Sequence, residues 1–308
     1  MNKIMHMKNV KNGVILSFIL AVAISCHAAA VGFKVEKDVV FAVRNGITLK
    51  ADVYKPEGAG PFPILVMLHG GGFIRGDKAD VETEASQFAS LGFVVFAANY
   101  RTLNMGAHYP DFVRDAHTAV SWIWKHAAEY NADPARIAIT GFSAGCYIAS
   151  LTAVTPDVEK LHHAKLDAAE LGETHPKIGA LVAFYGAHDL EHLDETLAQA
   201  AQLIFGSKPS GKKVVEASPA HYMDHAVPTI FFHNTGDRAV TVEQSRMMFE
   251  KLKRAGVQTA YYEFPRQAHD LLPDDEKWAI DAAAAFLDKY LSGKEGVVLP
   301  DSVPADIK

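Results

Sequence analysis

The sequence predicts an α/β fold, a mostly parallel sheet of about eight strands with helices on both faces. From residue 64 onwards, short apolar runs typical of strands covered on both faces alternate with amphipathic helical runs. Glycines such as Gly92 and Gly256 stop two of the helical runs. The chain has 308 residues, 49% of them hydrophobic and 21% charged, which suits one large core. We predict a single domain over residues 31–291.

The individual elements follow from the apolar pattern. Two strands, 37–44 and 48–54, flank Asn45-Gly46, which is a strong hairpin signal. The remaining predicted strands are 64–68, 93–98, 136–140, 178–185, 229–233 and 259–264. The predicted helices are 82–91, 111–130, 144–153, 191–205, 242–255 and 276–291. Residues 292–308 have little apolar periodicity and are predicted to be a loose tail.

The first 30 residues are predicted to be a targeting segment. Three lysines precede an apolar run over residues 14–24, which is too short to span a bilayer as a stable anchor. Ala28-Ala29-Ala30 is a small-residue cleavage site, whereas Ala23-Ile24-Ser25-Cys26 resembles a bacterial lipobox. We therefore expect an extracytoplasmic protein, periplasmic or secreted, that touches a membrane only if Cys26 is lipidated.

Composition argues against several partners and sites. The net charge is −6 and there are no basic blocks, so nucleic acid is not an expected partner. Cys26 and Cys146 are the only cysteines, so no intramolecular disulfide is expected, and Cys146 is interpreted as core packing. His221 and His225 have the spacing of zinc ligands, but no third ligand is evident, so we predict no metal and no cofactor.

The stretch Gly141-Phe142-Ser143-Ala144-Gly145 links a buried strand to a helical run. In that context the G-x-S-x-G pattern predicts a nucleophile elbow, a strained turn with small residues two before and two after the serine. Such a turn lifts the Ser143 hydroxyl clear of the sheet edge. It also directs the Ala144 N–H, at the positive end of the new helix, toward an oxyanion formed beside it.

A serine hydroxyl needs a base, and the base needs an acid that orients it. Asp237 directly follows the strand 229–233, and His269 directly follows the strand 259–264. Both therefore fall at carboxyl ends of predicted strands, where catalytic loops of parallel sheets meet. The chain order Ser143, Asp237, His269 is one of the known triad orders. Asp189, after the strand 178–185, remains an alternative acid.

These motifs resemble those of the α/β-hydrolase superfamily, in particular hormone-sensitive-lipase-like and bacterial feruloyl-esterase-like carboxylesterases. The resemblance rests on four landmarks in order: His69-Gly70-Gly71-Gly72-Phe73, Asn99-Tyr100-Arg101, the Ser143 elbow and Ala217-Ser218-Pro219. It implies an oxyanion hole at the N–H groups of Gly71, Gly72 and Ala144. Phe73 and Phe142 are the predicted substrate contacts. Cys146, and Asp270 after His269, stand where the family commonly has glycine.

The predicted function is a cofactor-free serine carboxylester hydrolase that forms an acyl-enzyme. Too few residues separate Ala30 from His69 for a large N-terminal cap, and the crossover 187–226 offers at most a partial lid. An open site favours a small-molecule or oligosaccharide ester with a short acyl group, or an aryl ester. An amide-cleaving relative, arylformamidase-like or a small peptidase, is the alternative. A lipase and a non-catalytic binding module are less favoured alternatives.

Overall fold

The computed structural model describes residues 30–155, 176–193, 195–305 and 307. Its strands are β1 Phe33–Arg44, β2 Ile47–Pro56, β3 Phe62–Leu68, β4 Val94–Ala98, β5 Ala132–Phe142, β6 Ile178–Phe184, β7 Thr229–Asn234 and β8 Thr259–Phe264. They form one sheet in the order β1-β2-β4-β3-β5-β6-β7-β8. The β1–β2 and β2–β4 pairs are antiparallel and the other pairs are parallel. The predicted mostly parallel sheet is therefore confirmed.

Helices cover both faces of this sheet. They are α1 Glu82–Ser90, α2 Asp111–Lys125, α3 Ala144–Val154, α4 Glu195–Phe205, α5 Gly211–Glu216, α6 Glu243–Arg254 and α7 Pro273–Tyr290. Residues of α2, α3 and α6 belong to one core cluster, and residues of α1 and α7 belong to the other. The predicted helix 111–130 ends at Lys125 and is followed by the 3₁₀ turn Ala127–Tyr130.

The middle of β3 shows why the strands read as unbroken apolar runs. Ile64, Val66 and Leu68 pack into one core cluster, while Leu65 and Met67 pack into the other. All five are fully buried because successive side chains of a strand point to opposite faces, and both faces are covered. The parallel register pairs Leu68 with Gly141 of β5, so the loop after β3 and the loop after β5 begin at the same edge.

The structure agrees with the prediction for the hairpin and differs from the prediction for the tail. Asn45 and Gly46 have φ of 49° and 78° and join β1 to β2 in the two-residue turn that the sequence predicts. The tail, predicted to be loose, instead packs on the sheet. Val303 is buried beside α7, and the Tyr262 hydroxyl donates a hydrogen bond to the Pro300 carbonyl at 2.5 Å. A few irregularly spaced contacts hold it there, which a periodicity analysis does not detect.

Several predictions fall on residues outside the described ranges. They are the targeting segment with Cys26 and the charged segment 160–173 with His162 and His163, for which the charge pattern predicts a solvated helix face. Within the ranges that are described, no helix combines the length and the apolar character needed to cross a membrane.

Candidate active site

Ser143 lies at the sharp turn between β5 and α3. Its backbone has φ 53° and ψ −115°, a conformation that is strained for any residue other than glycine. A Cβ on Gly141 would lie 2.3 Å from the Gly145 carbonyl oxygen, and a Cβ on Gly145 would lie 2.3 Å from the His69 carbonyl oxygen. Only glycine fits at both positions, and the turn has the geometry that the elbow motif predicts.

The side chains of Ser143, His269 and Asp237 form one hydrogen-bonded row. His269 Nε2 is 2.7 Å from Ser143 Oγ, and His269 Nδ1 is 2.7 Å from Asp237 Oδ2. Because an ionised carboxylate can only accept, Nδ1 carries the proton and Nε2 is free to accept one from the serine. The three residues come from separate loops, and the structure brings them together at the carboxyl edge of the sheet.

Asp237 accepts hydrogen bonds on both of its oxygens. Oδ1 accepts from the N–H groups of Ala239 at 2.8 Å and Val240 at 3.0 Å, and Oδ2 accepts from His269 and from His233. Burial by itself would raise the pKa of Asp237. The hydrogen bonds from the two histidines and Val240 outweigh burial and hold the pKa well below its usual value. The carboxylate therefore stays ionised at neutral pH.

The glycine-rich loop after β3 places backbone N–H groups beside the elbow. Gly71 and Gly72 have φ of 110° and 61°, and a Cβ on Gly71 would lie 1.9 Å from the Arg75 carbonyl oxygen. Ala144 opens α3, where backbone N–H groups lack intrahelical partners. The N–H groups of these three residues have no protein acceptor in the part of the chain that the structure describes. They are available to an oxyanion.

Residues beneath the loop brace it. The ring of His69 stacks on Tyr100 with centroids 4.3 Å apart, and the Tyr100 hydroxyl donates to the His69 carbonyl at 2.9 Å. The next residue, Arg101, forms a buried two-bond ion pair with Asp115, each bond 2.8 Å long. Both landmark motifs therefore act as supports for the backbone that faces the serine.

The family of the chain follows from its sequence. The BD-FAE family model matches residues 51–252, which is more than half of the chain. The chain belongs to the BD-FAE family. Its α/β-hydrolase fold is confirmed by the sheet order and by the solved structures that resemble it.

Two curated relatives and one solved esterase illustrate the likeness. The probable carboxylic ester hydrolase LipM of Mycobacterium tuberculosis is 29% identical over 69% of this chain and 51% of its own length. The probable isoprenylcysteine alpha-carbonyl methylesterase ICMEL1 of Arabidopsis thaliana is 27% identical over 75% of this chain and 51% of its own length. Thermogutta terrifontis esterase 2, phosphorylated by paraoxon, has a TM-score of 0.69 at 27% identity, with 85% of this chain and 96% of that chain covered. The chain spans about half the length of the curated relatives that it matches.

The two predicted substrate contacts of this BD-FAE member have different surroundings. Phe73, in the glycine-rich loop, is half-buried and packs against Phe112 and Tyr147, with centroids 5.2 and 5.4 Å away. Phe142 differs from its prediction, since it is buried and stacks on Phe184 at 4.6 Å within the core. Its ring belongs to the core cluster that also contains Phe184 and Tyr185.

The alternative acid lies elsewhere in the site region. Asp189 Oδ2 is 3.0 Å from His192 Nδ1, and its Oδ1 accepts from the Glu191 N–H at 2.9 Å. Asp237, by contrast, contacts His269 directly. The structure therefore favours Asp237 over Asp189 as the orienting acid.

One group of described side chains offers three metal-ligand atoms. Ligand atoms of Asp189, Glu191 and His221 lie within 4.8 Å of one another. His221 Nε2 is already 2.7 Å from Glu191 Oε2, and the Lys251 ammonium is 3.7 Å from Asp189 Oδ2. Both contacts occupy carboxylate oxygens that a cation would need. We assign the group no metal, and the absence of a metal cofactor stays a prediction.

Two residues that contact His269 or its loop were not found from the sequence. Asn234, fully buried, donates from Nδ2 to the carbonyl oxygens of Ala268 at 3.1 Å and Asp270 at 2.9 Å, one on each side of His269. The ring of Tyr185 meets the His269 ring edge-on at 5.0 Å. Asn234 lies three residues before Asp237, in the same strand-end segment. Its place in that segment is the one feature of the sequence that could have pointed to a role near the triad.

A pair of carboxyl groups lies near the loop that carries His269 and Asp270. Glu84 of α1 and Glu276 of α7 influence each other's pKa. Burial raises the pKa of both groups, and the charge of Glu84 helps to raise the pKa of Glu276 from its ordinary 4.5 to about 8. The exposed Asp270 adds repulsion to the same pair. The departure at Asp270 therefore contributes to a local excess of negative charge.

We expect Glu276→Gln to raise the melting temperature at about pH 9 and to change it little near pH 4. The folded pKa of about 8 exceeds the ordinary 4.5, so the folded protein holds a proton that the unfolded chain has released between these values. Stability is consequently lost as pH rises through this window, and glutamine removes the loss. Thermal unfolding at both pH values measures the effect. Glu82→Gln, an exposed neighbour in α1, is the control, and an equal gain at both pH values would contradict the argument.

Proposed function

We propose that the chain is a serine carboxylester hydrolase in which Ser143 is the nucleophile, His269 the base and Asp237 the orienting acid. The proposal rests on one observation above all, the unbroken row of 2.7 Å contacts from Ser143 Oγ through the imidazole to the Asp237 carboxylate. The ester hydrolase and esterase names of its relatives and structural neighbours support the same reaction class.

The proposed reaction uses only groups of this chain and water. Ser143 Oγ attacks the ester carbonyl carbon while its proton passes to His269 Nε2. The oxyanion that forms accepts hydrogen bonds from the N–H groups of Gly71, Gly72 and Ala144. His269 then gives its proton to the leaving alcohol oxygen, and an acyl-enzyme remains. Water, deprotonated by His269, attacks the acyl carbon, and the returning proton releases Ser143 and the acid product.

Asp237 acts through the imidazole in this scheme. Its ionised carboxylate accepts from Nδ1–H, which keeps Nε2 unprotonated in the resting enzyme, and it stabilises the imidazolium that forms during attack. Because its pKa is held low, it stays charged across the pH range in which an esterase is assayed. The loss of activity at low pH should therefore not reflect protonation of Asp237.

The substrate class is suggested by a group of aromatic rings beside the nucleophile. Phe73 of the glycine-rich loop and Tyr147 of α3 both belong to it, and Tyr147 donates its N–H to the Ser143 carbonyl at 3.1 Å. We call this group the aromatic wall; its rings follow one another at centroid distances of 5.1 to 6.2 Å and belong to Phe73, Tyr109, Phe112, Tyr147 and Phe205. Rings in contact leave little room for a long acyl chain to pass between them.

The crossover between β6 and β7 closes against this wall, as the partial lid of the sequence prediction would. The Tyr109 N–H donates to the Ile204 carbonyl of α4 at 2.7 Å, and the Tyr147 hydroxyl donates to the Ala217 carbonyl at 2.8 Å. Thermogutta terrifontis esterase 2 has also been solved with propionate and with butyrate bound. Both considerations favour esters of short acids for this chain.

We expect kcat/KM on p-nitrophenyl esters to peak at about two to four acyl carbons and to fall sharply by about eight. Burial of a longer acyl chain in an apolar trough would stabilise the bound ester by roughly 0.8 kcal/mol per methylene. The aromatic wall leaves no such trough, so longer chains should not gain this binding energy. A chain-length series on the purified protein measures the profile. Steady growth in kcat/KM to eight carbons or beyond would contradict the short-acyl proposal and favour a lipase.

An amide-cleaving hydrolase would use the same machinery and is the second candidate. A panel of aryl acetates, feruloyl esters, acetylated sugars and aryl amides separates the two, since ester cleavage releases an alcohol and amide cleavage releases an amine. Ester turnover well above amide turnover supports the proposal. Turnover of amides alone would show that the chain is an amidase. Inactivity on the entire panel would reject both the esterase and the amidase proposals.

We also infer an extracytoplasmic site of action. The lysines and the apolar run of the first 30 residues support export, either with cleavage after Ala30 or with lipidation at Cys26. This location favours a small-molecule or oligosaccharide ester found outside the cytoplasm as the substrate. Mass spectrometry of the mature N-terminus distinguishes the cleaved form from the lipidated one.

A further inference from the structure

A second histidine contacts the carboxylate of the row. His233, in β7, is fully buried. Its Nε2 lies 2.9 Å from the Val240 carbonyl oxygen and 3.2 Å from Asp237 Oδ2, and its Nδ1 lies 2.7 Å from Ser245 Oγ in α6. A buried imidazole needs partners for both ring nitrogens, and one partner here is the carboxylate that also holds His269.

The partners decide which ring nitrogen of His233 carries the proton. The Val240 carbonyl and the ionised Asp237 carboxylate can only accept, so Nε2 must donate. The Ser245 hydroxyl, fully buried, can donate to Nδ1 and so stabilises the neutral tautomer with Nε2–H. Asp237 is thus met by two imidazole N–H groups, the Nδ1–H of His269 and the Nε2–H of His233.

We propose that His233, oriented by Ser245, is a positioning residue that holds Asp237 for the reaction. The inference rests on the proposed esterase function. Asp237 lies in the loop after β7, whereas His233 lies within that strand, between β6 and β8. A hydrogen bond from the strand therefore restricts rotation of the carboxylate in a way that the loop backbone alone does not. It also disperses part of the charge on Oδ2, the oxygen that faces His269.

Other titratable groups face His233 from the neighbouring elements. His188, in the loop after β6, is fully buried, and burial with the influence of His233 lowers its pKa to about 3, so it is neutral. Glu263 of β8 is engaged by Arg246 through two bonds of 2.7 Å. His188 packs edge-on against Phe231 and makes no hydrogen bond to the row. His188 is therefore a matched control for the loss of a buried imidazole.

The test compares four variants on p-nitrophenyl acetate over a pH series. His233→Phe removes the N–H donor to Asp237, and His233→Gln keeps an N–H donor there. Ser245→Ala removes the hydroxyl that fixes the tautomer of His233. His188→Phe is the matched control. The Nδ1–H proton of His269, observed at low field by NMR without any substrate, is the second readout. Thermal unfolding of each variant checks that it folds.

In His233→Phe we expect kcat to fall between tenfold and a hundredfold, because the carboxylate is no longer held in place, with KM little changed. The acid limb of kcat/KM should move up by about half a pH unit, since Oδ2 then keeps more charge for the imidazolium. The low-field resonance should shift as well. His233→Gln should regain most of kcat, Ser245→Ala should show a smaller change in the same direction, and His188→Phe should match the wild type.

A folded His233→Phe with wild-type kcat, pH profile and resonance would overturn the proposal. So would a His188→Phe variant that reproduces its changes, since packing rather than the N–H would then be responsible. If His233→Phe does not fold, a wild-type profile and resonance in Ser245→Ala would have the same consequence. Failure of the proposed function is recognised separately, because a wild type without esterase activity still reports the Asp237–His269 contact by NMR.

Discussion

Replacing Ser143 with alanine is expected to lower ester turnover roughly 10⁶-fold and to abolish covalent labelling by an organophosphonate. The loss is large because the serine and the histidine act as a unit, and without the hydroxyl there is no acyl-enzyme. The strained backbone of the elbow accommodates alanine, so the fold is retained. Turnover of p-nitrophenyl acetate and intact-mass measurement of labelled protein test the two effects.

Ser150→Ala is the matched control for this prediction. Ser150 is fully buried in α3, the helix that Ser143 precedes, and its Oγ lies 3.9 Å from Cys146 Sγ. Its loss should leave labelling and turnover close to wild type. Labelling at Ser218 would contradict the assignment, since that hydroxyl donates to the Val214 carbonyl and accepts from the Leu190 N–H, a structural role.

The second large effect is expected for Asp237→Asn, in which kcat should fall by about 10⁴. An asparagine can keep the bonds from Ala239 and Val240 on its oxygen, but its amide nitrogen would then face two N–H donors, one from His269 and one from His233. His269 can relieve the clash by moving its proton to Nε2. That tautomer cannot take the proton of Ser143.

Circular dichroism and a pH–rate profile accompany this variant. Retained secondary structure with a large loss of kcat indicates the tautomer effect, whereas unfolding would indicate a structural carboxylate. Asp189→Asn is the control, because Asp189 is similarly buried and hydrogen-bonded but does not contact His269. A larger loss of kcat in Asp189→Asn than in Asp237→Asn would show that the acid was assigned to the wrong residue.

Much of the fold could be predicted because its signals are local. The Asn45-Gly46 turn, the apolar run of β3 and the glycine that stops α1 each depend on a few adjacent residues. Element ends were less well predicted. β5 begins at Ala132, four residues before the predicted start, since its first residues pair with Phe62 and Pro63 of β3. Pairing across the sheet is not encoded in the apolar pattern of one strand.

The structure brings together the three triad candidates, because each carries a local signature and a known place at a strand end. The prediction for Phe142 did not agree with the structure for a related reason. Phe142 is adjacent to Ser143 in the chain, but its ring packs into the core at the end of β5. The tail was misjudged because its few anchors, Val303 among them, have no periodicity.

Sequence alone determined which residues could serve as nucleophile, acid and base, since a G-x-S-x-G turn and strand-end loops are properties of short segments. Tertiary structure alone decided how those residues are supported. Asn234 and Tyr185 contact His269 or its loop only because β6, β7 and β8 lie side by side. Hydrogen bonds between segments far apart in the chain depend on sheet order and register, and short segments do not contain that information.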